Sequence, residues 1–131
     1  MNKGLALTAA LLPLLAGTGC ATYGPTWSEV SGERYNVTIQ NRRPGYIQKI
    51  DGYSSYTYPI KLEPGKHEIE LGANAPGWTG GPALHTMTLT LQPCMRYYLN
   101  AQFNNPVQPD WQPVVDYTEP IAGCKVMTAA K

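Results

Sequence analysis

Polar and apolar residues alternate in short blocks along most of this 131-residue chain, with turn residues between the blocks. Residues 34–41, RYNVTIQN, set Tyr35, Val37 and Ile39 against Asn36, Thr38 and Gln40. A period of two is the pattern of a strand with one buried face. GYIQKIDG (45–52) follows the Arg43-Pro44-Gly45 turn. YTYPIKL (56–62) comes next, with Pro59 marking an edge strand or a bulge. Glu63-Pro64-Gly65-Lys66 predicts a type II turn, because Pro64 presets φ and Gly65 accepts a positive one. HEIEL (67–71) places His67, Ile69 and Leu71 on one side and Glu68 and Glu70 on the other. HTMTLTL (85–91) points Met87, Leu89 and Leu91 inward and Thr86, Thr88 and Thr90 outward, and Gln92-Pro93 makes a corner. MRYYLNAQF (95–103) gathers Tyr97, Leu99, Ala101 and Phe103 on one face, and VVDY (114–117) is a last short strand. GANAPGWTGGPA (72–83) and NNPVQPDWQP (104–113) read as open loops.

Six to seven short strands at this spacing predict an all-β fold, an antiparallel β-sandwich spanning residues 34–131. The first 19 residues break the pattern. Lys3 is followed by an uncharged, mostly apolar run from Gly4 to Gly17. A bilayer span needs about 20 apolar residues. A basic start and a shorter apolar run have the proportions of a cleaved, helical signal peptide.

Gly17-Thr18-Gly19-Cys20 resembles the lipobox of bacterial lipoproteins, with Gly17 where Leu or a similar residue is usual. The resemblance implies that residues 1–19 are removed and that the Cys20 thiol carries diacylglycerol. Residues 20–33 would then form a polar tether. Ala21 stands where Asp would favour inner-membrane retention, which implies a periplasm-facing protein of the outer membrane. Two or more acyl chains hold a protein stably on a bilayer, and the membrane is the first expected partner. With Cys20 lipidated, Cys94 and Cys124 remain. In an oxidising compartment they are expected to form one disulfide, the alternative being two buried free thiols.

YPIKLEPGKHEIELGANAPG (58–77) is similar to PEGA-type β-sandwich repeats, which share a strand, a Leu-x-Pro-Gly turn, a second strand and an Ala-Pro-Gly corner. That resemblance implies a non-catalytic surface or envelope interaction module. The chain after Cys94 has no PEGA counterpart and is expected to be a disulfide-stapled extension.

Charge narrows the partners. Ten Lys and Arg face nine Asp and Glu, and loss of Lys3 with the leader brings the balance to zero. A nucleic-acid partner would want a basic face. Arg34, Arg42, Arg43, Lys49, Lys61 and Lys66 lean toward the first half, as a solvated face or within reach of anionic lipid headgroups.

Candidate chemistry is sparse. No Ser lies in a GxSxG turn and no CxxC is present, so neither a nucleophile elbow nor a thiolate metal site is expected. His67 and His85 approach each other only if their strands pair, and a metal-dependent hydrolase built on them is the enzymatic alternative. Asp116 and Glu119, three apart, suit either an acid–base pair or a turn before Pro120. The binding candidates are aromatic: Trp78 among glycines, Trp111 between Asp110 and Gln112, and Tyr53, Tyr56 and Tyr58. Rings with one wet end suit a glycan, peptidoglycan or envelope-protein partner, the alternative being that they cap the ends of the sandwich. Tyr56 and Tyr58 on one face also fit an edge strand open to β-augmentation. The expectation is a lipid-anchored envelope protein, without cofactor or catalysis, that binds or supports. The alternatives within that class are a glycan or peptidoglycan binder and an inhibitor of an envelope enzyme.

Overall fold

The computed structural model describes residues 26–54, 56–75, 81 and 83–126. The leader, Cys20 and Trp78 lie outside the described residues. Among the described residues, eight strands form two sheets and there is no helix. In chain order they are β1 (Ser28–Ser31), β2 (Arg42–Arg43), β3 (Tyr46–Ile50), β4 (Ile60–Leu62), β5 (Gly65–Ala73), β6 (Ala83–Leu91), β7 (Met95–Phe103) and β8 (Trp111–Pro120). One sheet runs β2–β7–β1–β4 with β8 on β7, and the other runs β3–β5–β6. All pairings are antiparallel except β1 with β7, which is parallel.

The alternation read from sequence works where strands are long. β5 pairs with β6 over nine positions, from Gly65↔Leu91 to Ala73↔Ala83. Ile69 and Leu71 are fully buried, while Thr86, Thr88 and Thr90 are exposed. On β7, Tyr97, Leu99, Ala101 and Phe103 turn into the core as expected. The core joins Val30, Ile60, Leu99 and Trp111 of one sheet to Ile47, Ile50, Ile69 and Leu71 of the other. Gly45 sits where the sheets nearly touch. A Cβ there would lie 2.9 Å from the Asn100 Cα and 3.0 Å from Leu71 Cδ2, so a side chain would push the layers apart.

Three expectations are corrected, and one strand carries an irregularity. Residues 34–41 form a looped segment rather than a strand, with Val37 76% exposed. Local turn chemistry wins there: the Asn36 side-chain oxygen accepts hydrogen bonds from the backbone and hydroxyl of Thr38, and Ile39 N donates to Asn36 O. Residues 28–31, expected in the polar tether, form β1 inside the sheet. Ser28 donates to Gln92 O, and Val30 is 1% exposed. The last strand begins at Trp111 rather than at Val114 and runs ten residues. The ladder with β7, from Phe103↔Trp111 to Met95↔Pro120, holds Pro113 at its Ala101 partner. Finally, Ile47 and Ile50 are three apart yet both buried. A register shift between Ile47 and Lys49 turns both inward.

The Cys94–Cys124 disulfide is present, with Cα atoms 5.4 Å apart. It ties the tail after β8 to the entry of β7, at a corner where Cys94 has φ 60°. Cys94 N donates to Trp27 O, and Ile121 N donates to Cys94 O. The chain's first and last described segments meet at this corner.

Candidate ligand-binding cleft

The strand orders leave two edges open along one side of the sandwich. β4 ends one sheet and β3 ends the other. Residues 51–54 and 56–59 lie between them as an arch, and beneath it is a cleft of about 500 Å³. Ile50, Ile60 and Leu62 line it from the strands, and Tyr53, Tyr56, Tyr58 and Pro59 from the arch. The cleft therefore collects all three tyrosines singled out from sequence. Tyr53 and Tyr58 are 76% and 71% exposed. Tyr56 is partly buried, donates its hydroxyl to Ile47 O and meets Tyr58 edge to face at 6.1 Å. Its tethered hydroxyl fixes one ring, against which Tyr58 is oriented. Asp51 and Lys61 place one charge of each sign on the lining, and the Lys61 ammonium also sits 4.5 Å from the Trp27 ring centroid.

Asp51 and Gly52 shape the far wall. Both have positive φ, 50° and 84°, and Ile50 and Tyr53 exchange backbone hydrogen bonds of 2.9 Å across them. This is the pattern of a type I′ turn, for which Asp-Gly is a preferred pair. The turn aims Tyr53 at the cleft. It is pinned to β5 from below: Glu68 N donates to Asp51 Oδ1 at 2.9 Å and Asp51 N donates to Glu68 O at 2.8 Å. His67 Nδ1 lies 2.6 Å from Asp51 Oδ2, and its Nε2 lies 2.7 Å from Glu63 O. Burial alone would lower the imidazole pKa. The Asp51 carboxylate and the Glu63 carbonyl outweigh it and hold His67 above its ordinary 6.5. The Glu68 amide, and after it His67, draws the Asp51 carboxyl below its ordinary 3.8.

The other candidates go elsewhere. Trp111 is 1% exposed, wedged in the core beside Phe103, and His85 packs edge-on against it with ring centroids 4.5 Å apart. As part of the core, Trp111 offers no ring face to a ligand. His67 and His85 do lie on paired strands, but their register partners are Leu89 and Leu71, so they are not opposite one another. Among the described residues no three His, Cys, Asp or Glu side chains gather as a metal site.

Asp116 and Glu119 do not form an acid–base pair either. Asp116 is the extra residue of a β8 bulge, since Tyr98 pairs with Tyr117 and Leu99 with Val115. Its carboxylate has no exposed surface and accepts from Arg42, the Asn36 amide and Asn100. Glu119 instead accepts from the Tyr98 hydroxyl and from Arg96, which lower its pKa in that order. Sequence reading passed over a neighbouring stack: Tyr98 and Tyr117 lie 4.2 Å apart at 12°, with Arg34 over both rings at 5.5 and 5.6 Å. The signal was Tyr98 in MRYYLNAQF, which alternation places on the face opposite the inward Tyr97. It also passed over the Asp-Gly turn signature in KIDGY.

No family model matches the chain, and neither curated proteins nor solved structures give a match.

Proposed function

We propose that this protein is a lipid-anchored envelope binding module, held at the outer membrane through Cys20, whose ligand site is the tyrosine cleft. The observation that carries the reading is the cleft itself: three tyrosines, two of them largely exposed, over a floor of Ile50, Ile60 and Leu62. Exposed phenol rings with charged neighbours match the face of a sugar ring, which offers C–H groups on one side and hydroxyls at its rim. A cell-wall glycan is therefore the ligand class proposed. No catalytic step is assigned. Asp116 and Glu119 are engaged with their own fold, and both nitrogens of His67 face acceptors.

The test uses the full chain extracted from bacterial membranes. Intact mass is expected to show a chain beginning at an acylated Cys20. Soluble peptidoglycan fragments are then titrated while the tyrosine ring resonances are followed by NMR. Shifts at Tyr53 and Tyr58 that saturate, and that Tyr58→Ala weakens at least severalfold, support the reading. Shifts confined to another surface, or none at millimolar fragment, overturn the site or the ligand class respectively.

A further inference from the structure

We propose that His67 is a proton-operated latch on the Asp51–Gly52 turn, holding the wall of the tyrosine cleft while the imidazole carries both of its protons. The geometry makes the argument. Nδ1 faces a carboxylate oxygen at 2.6 Å and Nε2 faces a backbone carbonyl at 2.7 Å. Both partners only accept hydrogen bonds. A neutral imidazole has one N–H and one lone pair, so it satisfies one partner and repels the other. The imidazolium satisfies both. The arrangement is therefore that of the charged ring, which ties the turn after β3 and the Glu63 carbonyl before β5 to one side chain.

The surroundings agree. The groups acting on the ring are the Asp51 carboxylate and, from Glu63, both the carbonyl and the more distant carboxylate. From β6 its register partner is Leu89, which does not titrate. The His67 side chain is 14% exposed, so its bonds are partly shielded while protons still reach the ring. Loss of one proton breaks one of the two ties. The remaining proton favours Nδ1, facing the carboxylate, so the Glu63 tie is the one lost; the bond to Asp51 loses its charge assistance, and with it part of the hold on the turn that directs Tyr53 into the cleft. Such a latch couples cleft shape to pH in the range where histidine titrates. It concerns the wall of the cleft and not the identity of its ligand, so it fails or stands separately from the glycan reading.

The experiment is NMR on the full chain across pH 5 to 9. It follows the His67 ring nitrogens together with hydrogen-exchange protection of the Asp51, Tyr53 and Glu68 amides. His67 is expected to titrate above 6.5, and protection of the three amides to fall roughly fivefold across that midpoint, as for loss of one hydrogen bond. His67→Gln, which keeps the shape without the charge, is expected to abolish the step. Asp51→Asn is expected to lower the midpoint while leaving the β5–β6 amides protected. A midpoint at or below 6.5, protection that ignores the midpoint, a step that survives in His67→Gln, or a midpoint unmoved in Asp51→Asn overturns the latch.

Discussion

Asn100 shows how much of this fold hangs on single polar side chains. It is wholly buried on β7, on the side of the strand facing away from the sandwich core. Its oxygen accepts from Gly45 N at 3.0 Å, and its nitrogen donates to Arg34 O at 2.7 Å and to Asp116 Oδ2 at 3.1 Å. One amide thus satisfies two groups of the 34–45 segment, which has little regular pairing of its own, and a carboxylate oxygen of β8. Asn100→Leu keeps the branching at Cγ but leaves the buried Gly45 N and the Arg34 carbonyl without this partner, while Asp116 keeps only Arg42 and the Asn36 amide. The substitution is expected to cost roughly 2–4 kcal/mol in urea unfolding. Loosening of residues 34–45 should appear first, as proteolysis near Val37, before the β5–β6 ladder is affected.

Among elements, the β7–β8 hairpin and its disulfide do the most to join the first and last described segments. β7 is central: it pairs with β8 on one side and with both β1 and β2 on the other. The Cys94–Cys124 bridge closes a separation of 30 residues around the hairpin. A loop of that size restricts the unfolded chain by about 3.5 kcal/mol in the chain-entropy model. The paired substitution Cys94→Ala with Cys124→Ala is expected to lower stability by about that amount, read as a drop in the urea midpoint. Added reductant should reproduce the drop in the parent chain and leave the double variant unchanged. β4 sits at the other extreme. It has three residues, pairs only with β1 among the described strands, and borders the cleft. The proposed ligand site borders this short edge strand.

The whole molecule has a pH window set by which groups gain or lose protons on folding. Asp51 and Glu119 are held below their ordinary values of 3.8 and 4.5, first by the Glu68 amide and by the Tyr98 hydroxyl respectively. Their contributions are complete above those ordinary values and disappear as pH falls through the lower folded ones. His67 is held above 6.5, so its contribution is complete below 6.5 and disappears as pH rises through its higher folded value. Stability is expected to plateau between about pH 4.5 and 6.5 and to fall on both sides. Urea midpoints across pH 3–9 check this, and His67→Gln should flatten the fall immediately above the plateau while only reducing the acid arm, which keeps Glu119 and the Glu68 amide bond to Asp51. A midpoint that climbs steadily from pH 5 to 8 would contradict it.

The sequence by itself determined the class of fold and the faces of its long strands. In β5, β6 and β7, successive side chains must point to opposite sides, so a two-residue period in Ile69, Leu71, Leu89, Leu91, Leu99 and Ala101 leaves a single way to bury them. It also held the tyrosines of the cleft, as a cluster within one short stretch. Tertiary structure decided the rest, because the deciding partners are far away in the chain. Ser28–Ser31 is too short and too polar to read as a strand, and becomes one by lying between β7 and β4, with Glu29 paired to Arg96 at 2.6 Å. RYNVTIQN alternates well but forms no strand with any described neighbour, and Asn36 offers its backbone a turn instead. Trp111 looked like a loop aromatic, and the β7 ladder drew it into the core. Asp51 and His67 are 16 residues apart and show no shared motif. They meet because β3 and β5 are antiparallel neighbours, which sets the Asp51 turn directly beside Glu68 and the ring before it.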